Sequence, residues 1–391
     1  MRWHHPINLN HLLRLSDEVG ILQFAPLGIP SPVSGYAIDD NARALVAATR
    51  LPPHPLREHL AKVYLGLLLY AQGEDGHFHH LVAHDRSCAD IRASDDGLGR
   101  CVWACGETVA ADLPDSMKQT AKFILRRAWI HLQSMRHVRG WANATLGLAT
   151  YYEATGHAEA RAMTVHLADL LVAALRAHSD GRWTWFEDVL TYEPGRLPLA
   201  LLHAFAVTGN DRYRDSAEQA LTYLVATLHL PLSPNGNGTR PARRRVFWPI
   251  GNRGWFPRTG SRAYHDQQPV DAGSMVEAYI AAAAVTGRRE YRQLAREAFD
   301  WFLGANSCGH PLYDPHSGAC FDGLQPEGIN RNQGAEATIA YLLARLALSS
   351  HARWVTRWPA GESCRVAPLV SVSDGGDRAP GEPSPPLQQP S

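Results

Sequence analysis

No apolar run in this sequence is long enough to span a bilayer, and its first residues, Met1-Arg-Trp-His-His-Pro6, lack the apolar core of a secretory signal. A membrane span is excluded on that basis, and a cytoplasmic protein is expected. Excess charge is missing too. Lys plus Arg and Asp plus Glu number 38 each, so the formal net charge is zero and nothing in the balance favours nucleic acid as a partner. The one basic run, Arg243-Arg244-Arg245, lies in a stretch with no Asp or Glu between Glu218 and Asp266 and reads as a solvated loop.

Cysteine is scarce: Cys88, Cys101, Cys105, Cys308, Cys320 and Cys364 show no metal-ligand rhythm. Cys101 and Cys105, four apart in a helical pattern, fit two small core residues in a reduced protein better than a disulfide. His77, His79, His80 and His84 crowd together without a matching Cys or carboxylate spacing, so no metal is expected. There is no Gly-rich phosphate loop and no nucleophile elbow, and no cofactor is expected either. Strand-dominated blocks are absent, with short extended pieces expected only in loops, such as Phe78 to Ala83 and Arg245 to Pro249.

What is present is helix. The 391 residues are 45% hydrophobic and 19% charged, ordinary for a globular chain with a sizeable core. Helical periodicity predicts segments at 8–19, 39–50, 56–72, 95–111, 116–134, 140–155, 158–178, 195–208, 211–229, 270–286, 289–304 and 333–348. Asp39 is a candidate N-cap, and at least one member of each pair Asp39-Asp40 and Asp95-Asp96 is expected to cap. Three joints share a form, Ala154-Thr-Gly156, Val207-Thr-Gly209 and Val285-Thr-Gly287, each with Gly where a helix ends in the left-handed conformation. The repeat is a helical hairpin whose first member is small and apolar and whose second is amphipathic. Six inner helices, five outer ones and the N-terminal helix as the sixth close an all-α (α/α)6 toroid over residues 1–350. Residues 351–391, rich in Pro, Gly and Ser, read as a mobile tail.

All the long loops then fall at one end of the toroid, with the inner-helix N-termini. Carboxylates, amides, guanidinium groups and aromatic rings gather there, the inventory of a saccharide site. The stretch Trp183-Thr-Trp-Phe-Glu187-Asp188-Val-Leu-Thr-Tyr192-Glu193-Pro-Gly-Arg196-Leu-Pro198 combines rings and carboxylates ahead of an inner helix. Its Glu187 and Asp188 precede the helix by too many residues to be simple caps. General acid and base are therefore sought among Glu187, Asp188, Asp39 and Asp40. Sugar contacts are sought among Tyr36, Asn41, Arg43, Asp96, Trp141, Trp185, Arg196, Trp255, His265, Asp266, Gln267, Gln268, Glu327, Asn330, Arg331 and Asn332. Arg100, Asn143, Asp271, Gln333 and Glu336 share that end.

Four motifs in order, Asp39-Asp-Asn-Ala-Arg-Ala-Leu45, Trp185-Phe-Glu-Asp-Val-Leu-Thr-Tyr192, Asp266-Gln-Gln-Pro269 and Asn330-Arg-Asn-Gln-Gly-Ala-Glu336, resemble the bacterial six-hairpin glycosidase-like domains found alone or fused behind glycosyltransferases. The resemblance covers about Ile7 to Leu348. It implies an (α/α)6 fold, an oligosaccharide or glycoconjugate as ligand, and a glycosyltransferase as a partner. Where that group carries Ser-Glu-Asp-Ser-His-Gly-Arg, this chain has Ser94-Asp-Asp-Gly-Leu-Gly-Arg100, and the missing histidine weakens a catalytic role around Asp95 and Asp96. A glycoside hydrolase is the leading reading. The alternatives are a sugar epimerase or isomerase using His203 and His265, and a non-catalytic saccharide-binding module.

Overall fold

The computed structural model describes residues 6–89, 91–231 and 245–349. Twelve helices are present among them. The inner ones are α2 (Ile38–Arg50), α4 (Asp95–Ala110), α6 (Val138–Thr155), α8 (Arg196–Thr208), α10 (Pro269–Thr286) and α12 (Ala335–Ser349). The outer ones are α1 (Asn10–Leu15), α3 (Leu56–Ala71), α5 (Asp115–Ala128), α7 (Ala158–His178), α9 (Asp211–Leu228) and α11 (Arg289–Asp300). Each inner helix packs on the next in the series and α12 packs back on α2, which closes the ring.

Composition decides which helix goes where. In α10 every residue from Pro269 to Ala283 is buried, and its alanines let neighbours approach from all sides. In α11 only Tyr291, Ala295, Ala298 and Phe299 are buried, a single stripe on an otherwise polar helix. The three Thr-Gly joints behave as the sequence predicts: Gly156, Gly209 and Gly287 have φ of 70°, 69° and 71°, and their N–H groups return to the carbonyls of Tyr152, Phe205 and Ala283.

The tightest approach in the ring joins α4 to α6 through glycines seven residues apart, Gly99 with Gly106 and Gly140 with Gly147. A Cβ on Gly106 would stand 2.0 Å from the Gly147 carbonyl oxygen, and one on Gly147 would stand 2.3 Å from that of Val102. Gly106→Ala should therefore destabilise the protein by about 3 kcal/mol in urea unfolding. An isolated helix would gain roughly 0.5–1 kcal/mol from the same change, so its sign tests the backbone contact.

Element ends differ from the sequence reading in places. The first helix stops at Leu15, not near 19, because the Asp17 carboxylate accepts from the N–H groups of Val19 and Gly20 and turns the chain. Beyond Ala128 the chain tightens into a 3-10 segment, Trp129–Ser134, and α11 gives way to turns after Asp300. Neither aspartate pair caps its helix. Ala37 holds the N-cap position of α2 without a side-chain bond, and the Ser94 hydroxyl caps α4 by accepting from Gly97 N–H. Asp95 instead accepts from the N–H groups of Arg136 and His137, at 2.6 and 3.0 Å, and fixes the approach to α6.

Four two-stranded antiparallel sheets tie the long loops: β1 (Tyr36–Ala37) with β2 (Leu81–Val82), β3 (Val189–Leu190) with β6 (Phe256–Pro257), β4 (His229–Pro231) with β5 (Arg245–Phe247), and β7 (Gly323–Gln325) with β8 (Gly328–Asn330). The extended pieces expected at 78–83 and 245–249 thus fall on β2 and β5. Among the described residues no helix is long and apolar enough to cross a membrane. The expected tail at 351–391, with Arg243, Arg244 and Cys364, lies outside them.

Candidate active site

Every inner helix begins where the chain returns from an outer helix, so the first turns of all six lie at one end of the ring. Helical spacing sets up the pairs Asp39 with Arg43 and Asp96 with Arg100, four apart, and Asp40 with Arg43, three apart, while Glu193 reaches Arg196 from the turn just ahead of α8. The groups join across helices. Arg43 Nη2 donates to Asp40 Oδ1 at 2.7 Å, stands 2.8 Å from Glu336 Oε2 on α12, and lies 3.6 Å from Asp39. Arg100 Nη2 bridges Asp96 at 2.9 Å and Glu193 at 2.5 Å, and the other Glu193 oxygen accepts from Arg196 Nε at 3.1 Å.

A third cation, Arg139, donates to Glu187 Oε2 at 2.9 Å and to the Tyr192 carbonyl, and its guanidinium lies 4.4 Å above the Tyr192 ring. The Tyr192 hydroxyl and the Asn143 amide both donate to Asp96, at 3.0 and 2.7 Å. The network continues downward. Arg196 meets Glu277 at 2.8 Å, and Arg50 joins Glu277 and Glu107 at 2.5 and 2.6 Å. Arg50 ends α2, twelve residues below its start, so ion pairs run about 18 Å along the axis.

Burial and these charges set the protonation states. Burial raises the Asp40 carboxyl from 3.8 to about 8, because the single guanidinium of Arg43 is shared with Asp39 and Glu336 and does not offset desolvation. Asp271 is raised in the same way, well above the carboxylate range. For Asp96 burial pushes upward as well, but Arg100 and its hydrogen bonds outweigh it and hold the carboxyl at about 2. Glu193 is lowered likewise, with burial opposed by Arg100 and Arg196. The site thus pairs carboxyls that keep their proton with others that have lost it.

Of the residues singled out in the sequence, Asp39, Asp40, Arg43, Asp96 and Arg196 belong to this network, and Glu187 joins through Arg139. Trp255 stands beside it, half-buried, its ring centroid 6.1 Å from that of Tyr192. Trp141, His265, Asp266 and Gln268 are half-buried in or near the loops, with Trp141 donating to the Met135 carbonyl and Asp266 paired to Arg253 at 2.9 Å.

The structure corrects several others. Trp185 is fully buried with its ring edge-on to Phe186, so it packs the core and offers no face to a sugar. Asn41 is buried and spends its amide on Ile21 and Ala37. Gln267 is buried among Tyr264, Trp301 and Ser307. Tyr36 is buried with its hydroxyl on Asp17. Asp188 is exposed and held by His178 and Arg258 on the outer side of the loop. Hydrogen bonds from those two keep its carboxyl below the usual range, the opposite of what an acid catalyst needs. Glu327 and Arg331 line a cavity of about 550 Å³ with Leu27, His310, Phe321 and Gln333. Asn330 and Asn332 brace the loop: Asn330 accepts from Asn332 N–H, and Asn332 accepts from Ala25 N–H and donates to Asp322.

Arg139, Arg50, Glu107 and Glu277 carry no weight in the sequence reading. Glu277 did leave a signal, as the lone charge within Met275-Val-Glu-Ala-Tyr-Ile-Ala-Ala-Ala-Ala. Among the described residues no group of three or more His, Cys, Asp or Glu could hold a metal ion. His77 packs on the His131 ring at 3.6 Å, and His79 bonds the Ala89 carbonyl.

No known family profile and no curated protein matches the sequence. Solved structures do match. A cellobiose 2-epimerase from Bacillus thermoamylovorans superposes with a TM-score of 0.67 at 12% identity, covering 88% of this chain and 96% of that one. A D-mannose isomerase gives 0.67 at 12%, covering 87% and 94%. An inactive variant of a family 76 α-1,6-mannanase from Salegentibacter, with two consecutive aspartates replaced by alanine and α-1,6-mannotetrose bound, gives 0.58 at 14%, covering 88% and 96%. At these identities the likeness speaks to architecture: the chain adopts an (α/α)6 toroid of six helical hairpins.

Proposed function

We propose that this protein is a carbohydrate-active enzyme that hydrolyses a glycosidic bond, with Asp40 as general acid and Glu187 as general base. The observation that carries the reading is geometric: a buried carboxyl on α2, whose pKa burial raises, stands across the ring from an accessible carboxylate. In the order α2, α4, α6, α8, α10, α12, the helix facing α2 is α8, and Glu187 stands on the loop that leads into it. A glycosidic oxygen leaving toward Asp40 would take its proton, while Glu187 would draw a proton from water on the other side of the sugar ring. Asp39 and Glu336 would accept sugar hydroxyls, and Trp255 would stack on the apolar face.

The mannanase, where loss of two consecutive aspartates accompanies inactivity, supports a role for paired aspartates; Asp39-Asp40 and Asp95-Asp96 are both such pairs at this end of the ring. The five described cysteines are free, which fits a reducing, cytoplasmic setting, and the fusion pattern of the similar domains makes a glycosyltransferase the expected partner.

Manno- and gluco-oligosaccharides incubated with the protein should yield shorter products by chromatography. Glu187→Gln should lower kcat by about 10²-fold, whereas Asp188→Asn should stay within about threefold of the parent, as a surface change does. The reverse pattern would move the base to Asp188, and unchanged turnover in both would remove this assignment.

The epimerase and isomerase neighbours favour a second reading, proton transfer beside a carbonyl. His203 is buried seven residues into α8, about 10 Å below its start, while His265 stands in the loop before α10. Incubation with cellobiose or mannose in heavy water should leave the sugar free of carbon-bound deuterium; incorporation would favour epimerisation.

A further inference from the structure

Arg253 and Arg258, on the loop before α10, are spent on carboxylates, Arg253 on Asp266 and Arg258 on Asp180 and Asp188. The polar groups around the cavity of about 550 Å³ are not. Among the described residues the side chains of His310, Glu327, Arg331 and Gln333 form no hydrogen bond or ion pair, and Glu327 and Arg331, opposite in charge, line one cavity without meeting. A second observation is independent of charge. Leu27, at the same cavity, has φ of 54°, which a bulky residue rarely adopts, and its apolar side chain is 71% exposed. Its N–H donates to the Arg331 carbonyl at 3.3 Å, Pro26 pairs with Asn332, and a Cβ on Gly28 would stand 2.6 Å from Gln333 Oε1, so the turn is pinned where it is. Glycine would take that φ without strain. The cavity also adjoins the mouth: Gln333 is three residues ahead of Glu336, whose carboxylate lies 2.8 Å from Arg43, and the chain between them spans at most about 11 Å.

We infer that this cavity is a distal subsite for a saccharide chain whose reacting sugar sits at the mouth, so that the protein takes oligosaccharides in preference to disaccharides. This deepens the saccharide reading above and rests on it. Glu327 accepts from the hydroxyls of a distal sugar, Arg331 and Gln333 donate to them, and Leu27 with the half-buried Phe321 covers the apolar face of the ring. Other ligand classes satisfy only part of this lining. A bare alkyl chain leaves the four polar groups unmet, and an inorganic anion leaves Leu27 and Phe321 uncovered and faces Glu327. The volume is that of a small-ligand site.

Thermal shift of the intact protein, titrated with α-1,6-mannotetraose, cellotetraose and the two matching disaccharides, tests the inference without requiring turnover. A tetrasaccharide should bind about tenfold more tightly than its disaccharide. Glu327→Ala and Arg331→Ala should each weaken the tetrasaccharide about tenfold, the loss of one hydrogen bond to a charged group, and leave the disaccharide unchanged. Both side chains are exposed, so these variants should fold as the parent does. Leu27→Gly should also weaken the tetrasaccharide, with a melting temperature equal to or above that of the parent because the strain at φ 54° is relieved. Equal affinity for both lengths, or a length preference that survives in Glu327→Ala and Arg331→Ala, would overturn the inference. Length preference without cleavage of either tetrasaccharide would sink the hydrolase reading and leave the subsite standing. Cleavage at a rate independent of chain length, unmoved by these variants, would do the reverse, and binding of none of the four sugars would remove the saccharide reading itself.

Discussion

Asp40→Asn should lower kcat by about 10³-fold while leaving the fold at neutral pH intact. The argument turns on the protonation state. With its carboxyl raised to about 8, Asp40 is uncharged at pH 7, and asparagine matches it in shape and charge while still accepting the Arg43 hydrogen bond. What the amide lacks is a proton to give. The same shift fixes two pH effects. Turnover in the parent should fall as pH rises through about 8, where the acid is lost. Stability should move in the same direction, since the folded protein holds a proton that the unfolded chain releases near 3.8; the contribution is full below that value and is lost as pH rises through about 8. Asp271, also raised by burial, acts in the same sense. Asp40→Asn should therefore gain melting temperature relative to the parent between pH 6 and 9. Parent-like turnover in the variant, or a difference in melting temperature independent of pH, would contradict this picture.

The ring was legible in the chain because its rules are local. A Thr-Gly joint ends a helix wherever it occurs, and an alanine-rich helix beside an amphipathic one sorts itself into inner and outer. Ends governed by a single side chain were harder to read, as with the Asp17 turn that shortens α1 and the Ser94 cap that relieves Asp95 of that role. The mouth was legible as a place, since helix starts can be counted. Which side chains face it was not, because Trp185, Asn41 and Gln267 have the chemistry of sugar ligands and only burial shows them spent on packing and backbone. The axial ion pairs below the mouth escaped for another reason: Arg50 and Glu277 are 227 residues apart, and closure of the ring brings them to 2.5 Å.

Glu193→Ala should destabilise the protein by about 3–5 kcal/mol, the range for breaking a buried ion pair by removing one partner. Glu193 is fully buried and holds two guanidiniums at once, Arg100 at 2.5 Å and Arg196 at 3.1 Å, while its N–H donates to Asp271 at 2.7 Å. Its φ of 48° is a conformation that non-glycine residues rarely adopt, so the backbone there is held against its own preference. Removing the carboxylate leaves Arg100 to Asp96 and Arg196 to Glu277, two buried cations each with one partner fewer. Glu193→Gln keeps the volume and one acceptor and should cost less than alanine, which separates lost charge from lost packing. The acid limb gives an independent reading in urea unfolding. Because the folded carboxyl lies below its ordinary 4.5, its contribution is present above that value and fades as pH falls through the folded value. The gap between parent and Glu193→Gln should accordingly narrow as pH falls below 4.5. A gap constant from pH 7 to 3 would place the role of Glu193 in packing and not in charge.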